Sequence, residues 1–319
     1  MFWWERWPSM PADSAALPEQ LSRRLRLPLI ASPMLRVSGP ELVIAACRAG
    51  VIGAFPTANA RSVDVLDDWL SQMGSSGASA PYCANLIIRQ PHLAQHLDRL
   101  IAHRVELVIT SVGAPDPVLE PLHDIGCLVF ADVATVAHAR KAVAAGVDGL
   151  VLLTAGAGGQ TGWLNPFAFT RAVRSFFDGP VVLAGGISDG HALRAATVLG
   201  CDLGYMGTRF IATRESMATD EYRSMLVEST ADDVQLTSAF TGLPSSMLAP
   251  SIRAAGLDPA HLDEQISVAD AAHLYGGSSD GPKRWQNVVS AGHTVSAVNR
   301  VCTVAELVDE LVTEFQEAS

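Results

Sequence analysis

Eight short apolar runs recur along the first two thirds of the chain. Their hydrophobic residues follow one another directly, without the polar alternation of a half-exposed strand. Such runs are typical of parallel strands that are buried on both faces. The runs begin at Leu27, Val51, Tyr82, Val105, Cys127, Gly149, Pro180 and Cys201.

Ala-rich segments with helical periodicity lie between these runs. Residues 40–50, 136–148 and 190–202 each carry a glycine where a helix would stop. Eight strand–helix units predict an α/β fold, a closed (β/α)8 TIM barrel. A doubly wound sheet is the main alternative, but the first run is followed by SPMLRVSGPE, which lacks the G-x-G-x-x-G turn of that fold.

The regular spacing ends after Ile211, and the chain then alternates helical patches with loops. We predict a helical insertion after strand eight that covers the barrel mouth as a lid; a peripheral packing extension is the alternative. The expected organisation is an N-terminal extension over 1–26, barrel units over 27–212, the insertion over 213–295 and a closing helix over 296–319.

Composition narrows the class of protein further. The 319 residues are 49% hydrophobic, enough for a large core, and carry a net charge of −11, which disfavours a nucleic-acid partner. Five scattered cysteines form no C-x-x-C pair, so we expect no metal site and a reducing compartment. No apolar run reaches the roughly 18 residues of a membrane helix, and we predict a cytoplasmic protein that does not contact membranes.

Two glycine turns follow the seventh and eighth runs. LAGGISDG contains Gly185 and Gly186, and YMGTRF contains Gly207 and Thr208. Neighbouring glycines let backbone N–H groups approach an anion, and these loops of a barrel commonly bind phosphate. Tight turns without a ligand are the alternative.

Three further features suggest a site at the same end of the barrel. The loop TAGAGGQTGW after the sixth run can press its backbone against a flat ring while it offers one amide, Gln160. Met34 in ASPM suits the face of an aromatic ring, although core filling is its ordinary role. Asp132 ends the fifth strand, where it either lines the site or caps the next helix.

These motifs together carry a family resemblance. ASPM, Asn85, GAGGQTG, LAGGISDG, YMGTRF, and Trp285 followed by SAGH occur in an order that resembles the nitronate monooxygenase (2-nitropropane dioxygenase-like) family of FMN-dependent barrels. That family also contains FMN-dependent enoyl-thioester reductases and NAD(P)H:quinone reductases. The resemblance extends from Leu27 to about Arg300.

The resemblance implies where FMN binds. Its phosphate would lie on Gly186 and on the turn over 205–208, and other motif residues would line the flavin. The residue patterns above add Asp132, Gly159 and Gly185. The complete expected set is Ala31, Pro33, Met34, Asn85, Asp132, Gly158, Gly159, Gly185, Gly186, Tyr205, Met206, Gly207 and Thr208.

The chain departs from the family pattern at the expected reaction site. The family loop A-G-G-H-x-G has a catalytic His where this chain has Gln160, and an earlier family Gln is Leu153 here. A family A-G-Q near the C-terminus is Ala291-Gly292-His293. An amide cannot transfer protons near neutral pH, so we predict that Gln160 orients substrate or flavin. His293 is a candidate replacement imidazole; bonding to a rim carbonyl or to solvent is the alternative.

Three functions remain open from the sequence. The first is nitronate monooxygenase-type oxidation of a carbanionic small molecule with FMN and dioxygen, for which neutral nitroalkanes should be poor substrates. The second is an FMN-dependent NAD(P)H reductase of an enoyl thioester or a quinone. The third is a flavin-free, phosphate-binding barrel that serves as a binding or structural subunit.

Overall fold

The computed structural model describes residues 17–276 and 281–318. Within these ranges the chain forms eleven short strands, eight of which match the apolar runs. The strands are β1 Leu29–Ala31, β2 Ile52–Pro56, β3 Tyr82–Ile87, β4 Leu107–Ser111, β5 Leu128–Val133, β6 Gly149–Leu153, β7 Gly159–Gln160, β8 Val181–Ala184, β9 Leu203–Met206, β10 Val234–Thr237 and β11 Ser245–Leu248.

Eight of these strands close into a parallel barrel. Their order is β1-β2-β3-β4-β5-β6-β8-β9, and β9 pairs with β1 through Leu29 and Gly204. The predicted (β/α)8 TIM barrel is therefore confirmed. The predicted N-terminal extension lies largely outside the described residues, which begin at residue 17.

Helices surround the barrel and extend beyond it. The α-helices are α1 Glu19–Ser22, α2 Pro40–Ala49, α3 Val63–Gly74, α4 Leu93–Ala102, α5 Asp116–His123, α6 Val136–Ala145, α7 Pro166–Arg174, α8 Gly190–Leu199, α9 Thr208–Ile211, α10 Asp220–Glu228, α11 Ala249–Ala254, α12 Val268–Tyr275 and α13 Val304–Glu317. Short 3-10 helices occur at Thr57–Asn59, Ala231–Asp233, Pro259–His261 and His293–Ala297. Among the described residues, no helix is both long and apolar enough to cross a membrane.

The expected glycine stops end three of the barrel helices. α2, α6 and α8 are followed by Gly50, Gly146 and Gly200, with φ of 89°, 97° and 109°. Only glycine adopts this left-handed conformation at little cost. At the start of α8, the Asp189 carboxylate accepts a hydrogen bond from the Ala192 N–H. These local signals fix where each helix turns back toward the next strand.

The barrel interior is packed with apolar side chains. Alternate strand residues point inward, and Ile30, Ile52, Leu107, Phe130 and Val151 are fully buried there. A closed barrel with a filled interior is a core and not a pore. A ligand therefore has to bind at one end, where the strands give way to loops.

The segment after the last barrel strand is mixed and not simply helical as predicted. It contains α9 to α12, but β10 and β11 also form an antiparallel pair, and β11 pairs with β7. Phe240, Met247 and Ile252 give it a small core of its own. The sequence reading missed these strands because each has four residues, too few to show a clear alternation.

The C-terminal helix closes the outer layer between α2 and α8. α13 begins after a capping box of Thr303 and Glu306, and it buries Leu307, Leu311 and Phe315 against its neighbours. The predicted closing helix began at residue 296, earlier than α13. The intervening residues form a 3-10 turn and a loop.

Candidate functional site

A cavity of about 470 Å³ lies at the carboxyl end of the barrel. Loops after β1, β3, β4, β6, β8 and β9 line it, and so do Asp132 within β5 and residues of the insertion such as Tyr222 and Leu243. Its size falls in the range of pockets for drug-sized ligands and cofactors, and this end of a barrel is where such sites occur.

The two glycine turns form a cradle suited to an anion. We call Gly185, Gly186, Gly207 and Thr208 the glycine cradle; all four line the cavity. Gly185 and Gly186 have φ of 114° and 84°, and a Cβ on Gly186 would meet no atom within 4 Å. In the described chain, the N–H groups of Gly186, Gly207 and Thr208 donate no hydrogen bond. These free donors fit the phosphate of FMN.

The outer helix α13 holds the glycine cradle in place. The buried Arg209 donates to the Ser188 carbonyl at 3.0 Å and pairs with Glu310 at 3.3 Å. The Gly190 N–H donates to the Glu314 carboxylate at 2.8 Å. Sequence reasoning missed these supports because no local pattern links residues a hundred positions apart.

The loop after β6 carries Gln160 at the edge of the cavity. Gln160 pairs with Ser245 of β11, and its exposed side chain borders the cavity. Trp285 lies over the same loop, with its ring 3.8 Å from the Cβ position of Gly159. The insertion therefore fixes the backbone that presents Gln160, whose orienting role stays a prediction.

The C-terminal Ala-Gly-His segment packs against this loop. A Cβ on Gly158 would lie 2.8 Å from the Gly292 nitrogen, so glycine is needed there for close backbone contact. The His293 N–H donates to the Gly156 carbonyl at 2.9 Å. Its imidazole is exposed, lies against Gly156 and is absent from the cavity lining. The catalytic role of His293 stays a prediction that this position does not support.

Three polar side chains form a floor on the inner barrel wall. We call Asn85, Ser111 and Asp132, on β3, β4 and β5, the polar floor. Asn85 donates to the Ile109 carbonyl at 3.3 Å and accepts from the Ser111 hydroxyl at 3.2 Å. Oδ1 of Asp132 is buried without a hydrogen-bond partner in the described chain, and burial raises the pKa of this carboxyl to about 7. Asp132 therefore lines the site and does not cap α6, whose cap is Thr135.

The remaining predicted residues divide into two groups. Pro33, Met34 and Tyr205 line the cavity. Ala31 and Met206 are buried in the packing between barrel and helices, and their side chains do not reach the cavity. Any contact of these two residues with a ligand would have to use backbone atoms.

The cavity also contains two arginines that sequence reasoning missed. Arg89 follows β3, and Arg284 of the insertion donates to the Phe240 carbonyl at 3.1 Å. Together with Asp132 they are the charged side chains of the described lining. Neither arginine forms an ion pair within the described chain. A lone arginine in an irregular loop carries no signal that distinguishes it from surface residues.

A closed (β/α)8 barrel with a glycine cradle at its mouth places the chain among barrel proteins whose loops after the last strands are suited to a phosphate group. The family model of nitronate monooxygenase matches residues 82–314. The chain belongs to the nitronate monooxygenase family, whose members are flavin-dependent oxidoreductases.

Individual relatives show the range of the family. A nitronate monooxygenase of Pseudomonas aeruginosa is 29% identical over 92% of this chain and 97% of the relative. An octahydroindene-carboxyl-CoA dehydrogenase of Mycobacterium tuberculosis is 26% identical over 69% of this chain. The solved structure of nitroalkane oxidase from Streptomyces ansochromogenes is 26% identical, with a TM-score of 0.76 over 94% of this chain and 99% of that chain. The chain spans 61–62% of the length of the first curated relatives.

Proposed function

We propose that this chain binds FMN in the cavity and oxidises a nitronate or a similar carbanionic small molecule with dioxygen. The observation that carries the proposal is the glycine cradle beside a cavity of cofactor size, in a member of a flavin-dependent family. Bound there, the flavin supplies the electron-transfer chemistry, and the protein supplies binding, orientation and exclusion of water.

The residues present fit FMN better than a dinucleotide. The glycine cradle offers donors for one phosphate, while Pro33 and Met34 present apolar surface for a flat ring. Asn85 and Asp132 supply polar atoms on the inner barrel wall of the same cavity. A site with one group of free backbone donors suits a mononucleotide.

The wall of the cavity favours a substrate that is already ionised. Gln160 replaces the base of the family pattern, and its amide can donate and accept hydrogen bonds but cannot take a proton. A nitronate has already lost the proton from carbon, so it needs no base. Neutral nitroalkanes need one and are therefore expected to react slowly.

A second candidate function is reduction or oxidation of an anionic thioester, with NAD(P)H as the partner in a reductase. Arg89 and Arg284 favour it, because two unpaired guanidinium groups in a cavity suit phosphate or carboxylate groups. The CoA-thioester dehydrogenase among the relatives is consistent with such a substrate.

The flavin site is tested by the replacement Gly186→Ala, which adds a methyl group to open space inside the glycine cradle. The expected result is at least about a tenfold loss of FMN affinity, measured by fluorescence quenching. Gly126→Ala is the matched control, because Gly126 has φ of 78°, open space around its Cβ position and no part in the cavity. The two variants carry the same backbone strain of about 1 kcal/mol. Equal FMN affinities would overturn the assignment of the cradle.

The direction of electron transfer is tested by anaerobic mixing of the FMN-loaded protein with a nitronate or with NADH. Rapid loss of the flavin colour with the nitronate, and little change with NADH, is expected for the oxidase. The reverse result would select the reductase. Arg89→Gln then separates the candidates further, because it should raise KM for an anionic thioester more than KM for a small nitronate.

A further inference from the structure

An unpaired oxygen marks the floor of the cavity. Oδ1 of Asp132 is a buried side-chain oxygen that forms no hydrogen bond in the described chain, and the same side chain lines the cavity. A buried polar group without a partner costs roughly 1–3 kcal/mol. The carboxyl therefore has unused hydrogen-bonding capacity at a place where a ligand atom can satisfy it.

Asp132 and the glycine cradle line the same cavity. In the closed strand order, β6 alone separates β5, which carries Asp132, from β8, while β3 and β4 are opposite β8 and β9. A flavin with its phosphate in the cradle would have to place its ring in the rest of this cavity, which the polar floor lines. The polar atoms of the ring then come within the region that Asp132 borders.

The other two members of the polar floor are already engaged. Asn85 donates one amide N–H to the Ile109 carbonyl, and its oxygen accepts a hydrogen bond from the Ser111 hydroxyl. Asp132 is the member of the polar floor that has a buried oxygen without any partner in the described chain, so it gains most from a bond to the ring.

The surroundings of Asp132 favour the protonated form of its carboxyl. Burial raises its pKa to about 7, and no cation of the described chain offsets that effect. The titratable groups that face it are Tyr205 on β9 and Cys83 on β3, and burial raises the pKa of both well above their ordinary values, so both are neutral. Arg89 and Arg284 line the same cavity and are, besides Asp132, the charged side chains of its described lining.

We propose that the protonated carboxyl of Asp132 donates a hydrogen bond to the ring of bound FMN and thereby makes FMN affinity depend on pH. The ring carbonyl and ring nitrogen atoms of a flavin are acceptors, which a carboxylic acid satisfies and a carboxylate repels. The inference rests on the proposed function, because it takes FMN to be the occupant of the cavity.

The test is a titration of FMN binding to the apoprotein between about pH 6 and pH 8.5. The parent should lose about tenfold in affinity over this range, since ionisation of Asp132 removes the donor. Asp132→Asn keeps a donor that does not titrate, so its profile should show the phosphate titration of FMN near pH 6 and nothing more. Asp178→Asn, an exposed change on the loop before β8, should follow the parent.

Infrared spectroscopy gives a second readout that does not depend on activity. The apoprotein at about pH 6 should show a protonated carboxyl band that Asp132→Asn lacks. Parallel FMN titrations for the parent and Asp132→Asn, or no difference in that band, would overturn this inference while FMN binding stands. An apoprotein that takes up no FMN at any pH would overturn the proposed function together with it.

Discussion

At the scale of single residues, Gln160 has the largest expected effect on substrate choice, because it stands where the family pattern has a His. Gln160→His restores a group that can accept a proton beside the cavity. General base catalysis contributes typically about 10²–10⁴-fold, so oxidation of neutral nitroalkanes should rise by at least tenfold, while nitronate oxidation changes little. Steady-state rates on both forms of one nitroalkane measure this, with the exposed Gln265→His as control. Unchanged rates on both forms would place position 160 outside the reaction zone.

The buried carboxyl of Asp132 predicts a pH dependence of stability with a definite sign. Its pKa is raised from 3.8 to about 7, so between these values the folded apoprotein keeps a proton that the unfolded chain has lost. The free energy of unfolding therefore falls as pH rises from about 4 to 7 and then levels off. Asp132→Asn removes this loss of stability. The free energy of unfolding of the variant should therefore exceed that of the parent by an amount that grows to at most about 4 kcal/mol above pH 7.

Denaturant unfolding at about pH 5 and pH 8 measures this difference. Asp178→Asn serves as the surface control, because it removes the same charge from an exposed site. An advantage of Asp132→Asn that is the same at both pH values would show that the carboxyl titrates normally.

At the scale of helices and strands, the sequence predicts the barrel well and the insertion poorly. Buried parallel strands read as unbroken apolar runs, and a glycine such as Gly146 stops a helix by its own backbone conformation, so both signals are local. β10 and β11 depend on pairing with Gly159–Gln160, a contact that no local pattern encodes.

In the site, too, local motifs could be predicted and contacts between distant segments could not. The glycine cradle follows from a motif, and all four of its members line the cavity. Arg89, Arg284 and the open position of Asp132 could not be predicted, because they result from the distant elements that surround one cavity. His293, which the sequence suggested as a replacement imidazole, lies against Gly156 through its backbone and ring and is absent from the cavity lining.

The closing helix α13 should carry a large share of stability at this scale. Leu311 is fully buried where α13 packs against its neighbours. Leu311→Ala should reduce the free energy of unfolding by about 2–5 kcal/mol, because it removes apolar contacts and leaves a cavity. Leu274→Ala, on a helical residue that is 50% exposed, should change it by less than about 0.5 kcal/mol. Chemical denaturation of both variants gives the comparison, and equal losses would contradict the packing role of α13.

At the scale of the whole molecule, the charge of the cavity contrasts with that of the chain. The protein carries a net charge of −11, yet its cavity is lined by two arginines and by one carboxyl whose pKa burial raises to about 7. Cavities of one sign concentrate ligands of the opposite sign. A nitronate and a thioester with phosphate groups are both anions, so the positive charge of the cavity favours both candidate substrates. They are distinguished only by the reaction that each undergoes.

Oxygen uptake by the FMN-loaded protein tests the central claim most directly. A nitronate and its neutral nitroalkane should be supplied separately at one pH, each without NAD(P)H, and the rate of dioxygen consumption recorded for each. The account predicts sustained uptake with the nitronate and uptake at least about tenfold slower with the neutral form. Uptake that requires NADH and does not respond to the nitronate would contradict it.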